Sequence, residues 1–310
     1  MPAPKRRQHG LTLVELTVTL LILTVLATIA IRSTNDLGFQ VRYEQTKERL
    51  EMIRHAILGN PRLIINGQQA ISGFVADMGR LPTCLRELVD NYNCDTGLAN
   101  PIWANAGEPS NLSVGWRGPY LNISGNPDKD DAFTDGWGNT SDDGNYGWQY
   151  VLNEPNLSIT SLGKNQKPGG DDYYDADYPN PASQPIVRGN DWLVNISGGI
   201  SVSFKPSEEE SICMKVFFRT GAEIDSESVS INENGAYQTI MFIFDINTEA
   251  QCEAKKGVWV DEACHIPVGQ NAIGIYKHDG SDCTANVYPV ERQPVAVNFY
   301  PKAYLPVINW

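Results

Sequence analysis

Side chains that can supply oxygen ligands are concentrated between residues 162 and 178. This stretch carries five of them: Asn165, Asp171, Asp172, Asp175 and Asp177. Ca²⁺ takes about six to eight oxygens from carboxylates, amides and backbone carbonyls. The interspersed Gly163, Gly169 and Gly170 allow the backbone to fold closely enough to add carbonyls. The chemistry therefore fits a Ca²⁺ loop without EF-hand spacing and fits a solvated acidic turn equally well.

Six cysteines form a second chemically active set: Cys84, Cys94, Cys213, Cys252, Cys264 and Cys283. They include no CxxC pair, which argues against a zinc site. An even number suits disulfides in an oxidising compartment, and the separation of Cys84 from Cys94 predicts that these two are joined. The other four allow three pairings. One of these joins Cys252 to Cys264 and leaves Cys213 with Cys283.

Composition and motifs argue against two classes of function. The chain has 24 Lys+Arg against 37 Asp+Glu, a net charge of −13, which would repel a phosphate backbone, so no nucleic-acid partner is expected. H-E-x-x-H, G-x-S-x-G and P-loop motifs are absent from the sequence. His265 and His278 are the histidines left in the C-terminal third. We therefore do not expect an enzyme.

One acidic residue interrupts an apolar N-terminal stretch. Residues 11–31 carry a single charge, Glu15, and follow Lys5, Arg6 and Arg7. As a helix the stretch would measure ~32 Å, enough to cross the hydrocarbon core of a bilayer. The basic residues would stay cytoplasmic and the rest of the chain would cross the membrane. The alternative is a secretory signal cleaved at small residues, but Glu15 needs a neutralising partner if it remains in lipid.

The residues around this carboxylate carry a family resemblance. Basic residues, then Gly10 and the run Leu-Thr-Leu-Val-Glu-Leu at 11–16, resemble the prepilin signal of type IV pilins and type II secretion pseudopilins. The resemblance implies cleavage after Gly10 by the prepilin peptidase and methylation of the new amine on Leu11. It also implies that Glu15 pairs with a neighbouring subunit's amine during assembly. Most family members have Phe where this chain has Leu11.

Four later segments resemble, in the same order, the globular part of the major pseudopilin of type II secretion. They are GRLPT at 79–83, WRGPYL at 116–121, DGWGN at 135–139 leading to WQY at 148–150, and SLG at 161–163 leading to GGDD at 169–172 and DW at 191–192. The family's usual Asp-Pro-Trp-Gly-Asn-Pro is here Asp-Gly-Trp-Gly-Asn-Thr, and residues 141–147 are an insertion. The resemblance covers residues 5–192.

The pseudopilin family carries a structural Ca²⁺ in the loop after SLG. The resemblance implies that the side chains of Asn165, Asp171 and Asp172 and the backbone oxygen of Leu162 bind calcium here. The first of these positions is usually Asp in the family, so Asn165 removes one charge while keeping an oxygen. Asp175 or Asp177 would compensate for that charge.

The remaining patterns predict the elements that position these groups. Leu50, Ile53 and Ile57 recur at helical spacing up to the Asn60-Pro61 break, so one helix should fill residues 11–60, with a second short helix near 68–78. Residues 1–10 would be the leader, and 61–192 the pseudopilin-like globular domain.

After residue 192 the resemblance stops, and residues 193–310 are predicted to form an added β domain. Alternating patterns at 200–204 and 295–299 and an apolar run at 214–218 predict strands. A Glu-Asn-Gly turn favours a hairpin between 228–231 and 239–244. The predicted fold is α+β: a long N-terminal transmembrane and stalk helix packed on a small antiparallel sheet, followed by a β-sandwich-like domain of immunoglobulin-like kind.

These features together predict a structural subunit of a type IV pilus-like filament, with a type II secretion pseudopilin favoured over the alternatives. Its expected partners are copies of itself, other pilin-like subunits, the prepilin peptidase and the inner-membrane assembly platform. The chain would sit in the bacterial inner membrane with its C-terminal part in the periplasm, and then in a periplasmic or extracellular filament. The alternatives are a minor pilin or adhesin whose C-terminal domain binds a surface or ligand, and an ectoenzyme tethered by the helix.

Overall fold

A long helix organises the N-terminal part of the chain. The computed structural model describes residues 13–60, 62–65, 68–107, 110–123, 125–181, 184–218, 223–233, 235–287, 293–300 and 307–309. Helix α1, Leu13–Leu58, has 46 residues and ends where Gly59, at φ 79°, donates its N–H to the His55 carbonyl. Its buried face in the second half is Thr46, Leu50, Ile53 and Ile57. This helix confirms the prediction over the described part of residues 11–60.

The structure gives no support to the membrane span predicted for residues 11–31. Within the described part of the chain, no helix combines the length and apolar character that crossing a membrane requires. The leader and the first residues of that span, Gly10 and Leu11 among them, lie outside the described residues.

Short elements follow α1. They are β1 Ile64–Ile65, β2 Gln68–Gln69, α2 Phe74–Met78, α3 Arg86–Val89, β3 Ala104–Asn105, β4 Ser113–Val114, β5 Gln149–Asn153, β6 Asn156–Thr160 and α4 Gly189–Trp192. The strands pair as three antiparallel ladders, β1–β2, β3–β4 and β5–β6. The predicted second helix is shorter than expected: residues 68 and 69 are extended, and the helix starts after Gly73, whose φ of 96° is not helical.

The C-terminal third is rich in strands, as predicted. Its elements are β7 Leu193–Asn195, β8 Ile200–Phe204, β9 Glu210–Phe217, β10 Glu223–Asp225, β11 Val229–Ile231, β12 Gln238–Phe242, α5 Glu249–Ala254, β13 Val258–Val260, β14 Ala263–Pro267, β15 Gly269–His278, β16 Cys283–Val287, β17 Val295–Phe299 and β18 Ile308–Asn309. A six-stranded sheet has the order β10-β9-β15-β16, with β11 also on β9 and β17 also on β15. The orders of two three-stranded sheets are β12-β8-β18 and β13-β14-β7. Described pairings are antiparallel apart from β18 with β8.

The hairpin predicted between residues 228–231 and 239–244 is wrong. Strand β11 pairs with β9, and β12 pairs with β8. The sequence pattern identified both strands, but the alternation of side chains fixes which face is buried and not which neighbour supplies the hydrogen bonds. In the structure each strand is paired with a strand that precedes it in the chain, β11 with β9 and β12 with β8.

Strand β15 is buried on both faces. Ile273 and Ile275 join a large cluster of buried side chains that also contains Leu50 and Ile53 of α1. Ala272, Tyr276 and the Cys213 and Cys283 sulfurs form a smaller cluster with Leu112, from the loop between β3 and β4. The N-terminal and C-terminal parts therefore share buried surface. The domain boundaries at residues 60 and 192 stay predictions.

Candidate functional site

The acidic loop is closed at its base by a pair of backbone hydrogen bonds. Ser161 and Tyr178 donate to each other's carbonyls at 2.8 and 3.0 Å, which brings the ends of the loop together. Inside it, the Lys164 N–H donates to the Tyr174 carbonyl at 2.9 Å. We use the name acidic loop for residues 162–177. Its two sides are thus held against each other by its own backbone.

The side chains that the resemblance assigns to calcium differ in their surroundings. Asp171 and Asp172 are exposed. Asn165 is half-buried, and its Oδ1 accepts from the Lys167 N–H at 2.9 Å. Leu162, which would offer its backbone oxygen, is also half-buried. Among the described residues, no three His, Cys, Asp or Glu side chains are grouped closely enough to hold a metal ion.

Two other carboxylates of the loop turn an oxygen inward. Oδ1 of Asp175 and Oδ1 of Asp177 are buried without a hydrogen-bond donor. The Lys164 Nζ lies 3.7 Å from Asp175 Oδ1, and Asp177 Oδ2 accepts from the Gly169 N–H at 3.0 Å. Buried acceptors without donors carry a cost that a cation can offset. Asp175 and Asp177 therefore add buried oxygens to those that the resemblance names.

Glycine at two positions is required by the path of the loop. A Cβ on Gly163 would lie 2.8 Å from the Asp175 carbonyl oxygen, and one on Gly170 would lie 2.4 Å from the same atom. Both residues also have positive φ, 65° and 144°. The glycines identified in the sequence thus permit the close backbone approach that was expected of them.

A buried carboxylate fixes the start of the acidic loop. Asp135 is 1% exposed, and its Oδ1 accepts from the N–H groups of Trp137 and Asn139 at 3.0 and 3.1 Å. The Asn139 amide donates to Asp135 Oδ2 at 2.7 Å and to the Gly163 carbonyl at 3.1 Å. The DGWGN segment therefore connects directly to the loop.

The DGWGN segment packs closely against α1. A Cβ on Gly136 would lie 1.9 Å from the Arg42 carbonyl oxygen of the helix. The Gly136 N–H donates to Thr46 Oγ1 at 3.0 Å, and an Arg49 guanidinium N–H donates to the Asp135 carbonyl at 3.1 Å. The glycine that replaces the family's usual proline thus sits at the contact with the helix.

Aromatic rings join the acidic loop to α1. The Tyr43 ring lies 4.9 Å from that of Tyr173 and 6.1 Å from that of Tyr174. Phe39 lies 5.8 Å from Tyr174, and Trp137 lies 5.9 Å from Tyr174. Burial raises the pKa of the Tyr43 hydroxyl well above its usual range, and the neighbouring Tyr173 adds to the effect. Sequence reasoning missed this cluster, because ring contacts over such a sequence separation have no local signal.

Two buried carboxylates, Glu87 and Asp77, form ion pairs with the arginines of the GRLPT and WRGPYL segments. Glu87, which is 0% exposed, accepts from both Nη groups of Arg80 at 2.9 and 3.1 Å. Asp77 accepts from Arg117 Nε and from the Tyr120 hydroxyl, both at 3.1 Å. Bidentate pairs of this kind fix geometry as well as charge. The GRLPT and WRGPYL segments are therefore held by ion pairs that the sequence did not single out.

The cysteines are paired in three disulfides. Cys84 is bonded to Cys94, as predicted, and Cys252 is bonded to Cys264. The third bond joins Cys213 to Cys283 across 70 residues. Of the three pairings that the sequence allowed for the last four cysteines, the structure has the one that joins Cys252 to Cys264 and Cys213 to Cys283.

Glu15 lies in the first turn of α1 and is exposed. Its surroundings on the helix are apolar, with Leu13, Val14 and Leu16 between 50% and 79% exposed. A surface of this composition is suited to packing against other apolar surfaces. The carboxylate is therefore placed where a second molecule can reach it.

Comparison with known proteins bears on this end of the chain. Residues 5–31 match the family described as the prokaryotic N-terminal methylation motif. This is a type IV pilin-like prepilin signal. It indicates a structural subunit that is processed by a prepilin peptidase, anchored in the membrane before assembly and built into a filament with other pilin subunits. Neither a curated protein nor a solved structure gives a significant match.

Proposed function

We propose that the chain is a type II secretion pseudopilin whose filament takes part in protein export. The methylation motif carries the general part of this proposal. The specific part is supported by the four segments after residue 79, which resemble the major pseudopilin. Two of them are connected through Glu87, whose side chain accepts from Arg80 and whose carbonyl accepts from the Trp116 Nε1–H, both at 2.9 Å. A third, DGWGN, contacts α1 through Gly136.

This assignment implies an order of membrane anchoring, cleavage and assembly for the subunit. The precursor is held in the bacterial inner membrane by its N-terminal helix, with the disulfide-bonded part in the periplasm. The prepilin peptidase removes residues 1–10, and the assembly platform adds the subunit to copies of itself and to other pilin-like subunits. No nucleic acid and no catalytic step is part of this function.

Glu15 provides the test of assembly. A carboxylate among apolar helices is tolerated only when a neighbouring amine neutralises it. We expect Glu15→Leu to leave the protein in the membrane and to abolish both filaments and export. Thr17→Val is the matched control, because Thr17 lies two residues after Glu15 on the same helix and is uncharged. This variant should assemble normally. Normal filaments from Glu15→Leu, seen by negative-stain microscopy, would contradict the pairing role.

A minor pilin or adhesin is the second candidate, and the position of the C-terminal region favours it. A Cβ on Gly269 would lie 2.9 Å from the Ala76 carbonyl oxygen of α2, and α2 follows the C-terminal end of α1. The C-terminal region therefore contacts α2, whose preceding Gly73 approaches Gly59 at the end of α1, and a subunit at the tip has room for residues added there. Quantitative mass spectrometry of sheared filaments distinguishes the two: a major subunit dominates the sample, and a tip subunit is present at a few copies per filament.

Calcium in the acidic loop is the third part of the proposal. The resemblance names Asn165, Asp171, Asp172 and the Leu162 carbonyl as ligands, and the inward oxygens of Asp175 and Asp177 support it. Bound there, Ca²⁺ would neutralise carboxylates that otherwise repel one another. The residues of the chain supply oxygens, and the backbone hydrogen bonds at Ser161 and Tyr178 hold the loop in place to present them.

A further inference from the structure

A small open cavity lies between the end of α1 and the segment that leads into α4. Its volume is about 320 Å³, at the lower end of the range for pockets that hold small ligands. Two guanidinium groups, a carboxylate, an amide and two apolar side chains line it: Arg54, Arg188, Asp191, Asn190, Pro185 and Ile186. We use the name arginine pocket for the site that these six residues form.

The wall of the arginine pocket opposite α1 is held by hydrogen bonds. The N–H groups of Ile186 and Val187 both donate to the Leu157 carbonyl of β6, at 2.9 and 3.1 Å. At the other end of the wall, the Trp192 Nε1–H donates to the Pro155 carbonyl at 2.9 Å, which fixes α4 against the β5–β6 hairpin. The lining side chains therefore project from ordered backbone, as a preorganised binding site requires.

One carboxylate positions both arginines. Asp191 Oδ2 accepts from the backbone N–H of Arg188 at 3.0 Å and lies 3.7 Å from Arg54 Nη2. The Nε–H of Arg54 also donates to the Ile186 carbonyl at 3.0 Å, so this guanidinium is fixed on two sides. Arg188 is exposed, and its guanidinium forms no ion pair with any residue that the structure describes. The pocket therefore contains a cation without a counter-ion.

The charges of the arginine pocket favour one class of ligand. Two guanidiniums and one carboxylate leave one net positive charge, on a chain whose net charge is −13. A singly charged anion neutralises this charge, whereas a phosphate dianion would leave an excess of negative charge. Planar guanidinium groups bind carboxylates through two parallel N–H···O bonds. Pro185 and Ile186 add apolar surface beside the arginines, where CH₂ groups of a ligand can pack.

We propose that the arginine pocket binds a carboxylate carried on a short aliphatic chain, as in the side chain of glutamate. Two sources can supply this group: a free small carboxylate, or an acidic side chain of a neighbouring copy. The chain has 37 Asp+Glu, and its N-terminal motif indicates assembly with other pilin subunits. The proposal does not depend on a role in export, because it rests on the lining of the pocket.

Chemical modification of arginine tests the pocket in the full-length protein in detergent. The probe is propionate, which has the chain length of the glutamate side chain, and the rate at which phenylglyoxal modifies Arg188 is followed by peptide mass spectrometry. At ~10 times the propionate concentration that halves the rate, modification should be about ten-fold slower than in sodium chloride of equal ionic strength. Arg62 is exposed and outside the pocket, so its rate should be the same in both salts.

Three variants connect this protection to the pocket. Arg54→Gln removes one of the two cations and should abolish the protection of Arg188 by propionate, whereas the matched control Arg62→Gln should keep it. Asp191→Asn keeps an oxygen for the Arg188 N–H and raises the charge of the pocket. It should lower the propionate concentration for half protection by about two- to five-fold, the effect of one partly exposed charge. Equal melting temperatures verify that the variants are folded.

Filaments distinguish the two sources of the carboxylate. Without propionate, slower modification of Arg188 in wild-type filaments than in dispersed subunits, lost in Arg54→Gln filaments, identifies a neighbouring copy as the source. Equal rates, or slowing that persists in Arg54→Gln, identify a free carboxylate. The proposal is overturned if propionate gives no saturable protection of Arg188, if sodium chloride protects equally well, or if Arg54→Gln is protected as well as wild type.

Discussion

Replacing Gly136 by alanine tests the contact between the DGWGN segment and the stalk helix. The new Cβ would lie 1.9 Å from the Arg42 carbonyl oxygen, a backbone atom that cannot turn away. The φ of Gly136 is not in the left-handed region, so alanine brings no conformational strain of its own. The substitution therefore isolates the steric clash.

The expected loss of stability has two parts. Overpacking at a closely packed site costs about 1–3 kcal/mol. Moving the segment away also breaks the hydrogen bond from the Gly136 N–H to Thr46 Oγ1, which contributes about 1 kcal/mol. We therefore expect Gly136→Ala to lower the free energy of unfolding by about 2–4 kcal/mol and the melting temperature by ~3–6 °C.

Gly38→Ala on the same helix is the control. No atom lies within 4 Å of the position that its Cβ would take, and alanine in a helix is favoured over glycine by about 1 kcal/mol. This variant should melt at or above the wild-type temperature. Thermal unfolding of the detergent-solubilised full chain, followed by tryptophan fluorescence, compares the two. Equal melting temperatures for Gly136→Ala and wild type would refute the close packing of the segment on α1.

Three further predictions concern processing, calcium and charge. The intact mass of the mature protein should correspond to a chain that starts at Leu11 with one added methyl group, and a terminus beyond Ala27 would contradict prepilin cleavage. Chelation should lower the melting temperature, and Ca²⁺ at ~100 times its dissociation constant should restore ~2.7 kcal/mol of the free energy of unfolding. Asp172→Ala should lose this response. Identical melting of wild type in Ca²⁺ and in chelator would favour a solvated loop. Burial raises the pKa of Asp225 despite the nearby Lys215, so its ionisation in the folded state costs stability as pH rises past the ordinary carboxyl range near 4. Asp225→Asn should therefore melt above wild type at pH 7, with the difference shrinking at acidic pH; a constant difference across pH would contradict this origin.

The sequence predicted best those features that depend on near neighbours along the chain. Helix α1 followed from apolar residues at regular spacing, and its end was predicted at the Asn60-Pro61 break, two residues beyond Leu58. The Cys84–Cys94 bond followed from a short separation. Helical periodicity and short loops are local properties, so one sequence carries enough information to infer them.

Features that depend on distant contacts were missed. The pairing partners of β11 and β12 depend on how the sheets are arranged, and no residue within either strand specifies them. Glu87 and Asp77 look like ordinary surface acids in the sequence, yet both are buried against arginines. In the acidic loop, the donor-rich composition was visible, but the inward position of Asp175 and Asp177 depends on backbone folding around two glycines.

The shared cluster of buried side chains has a consequence for how the chain folds after export. Its members run from Leu50 in α1 to Phe299 in β17, so the cluster joins residues that are nearly 250 positions apart in the sequence. Contacts of such sequence separation form slowly, because the chain between them must be ordered first. Apolar members of this cluster therefore stay uncovered until the last strands of the chain are in place. During that interval the chain presents an apolar surface that is prone to aggregation.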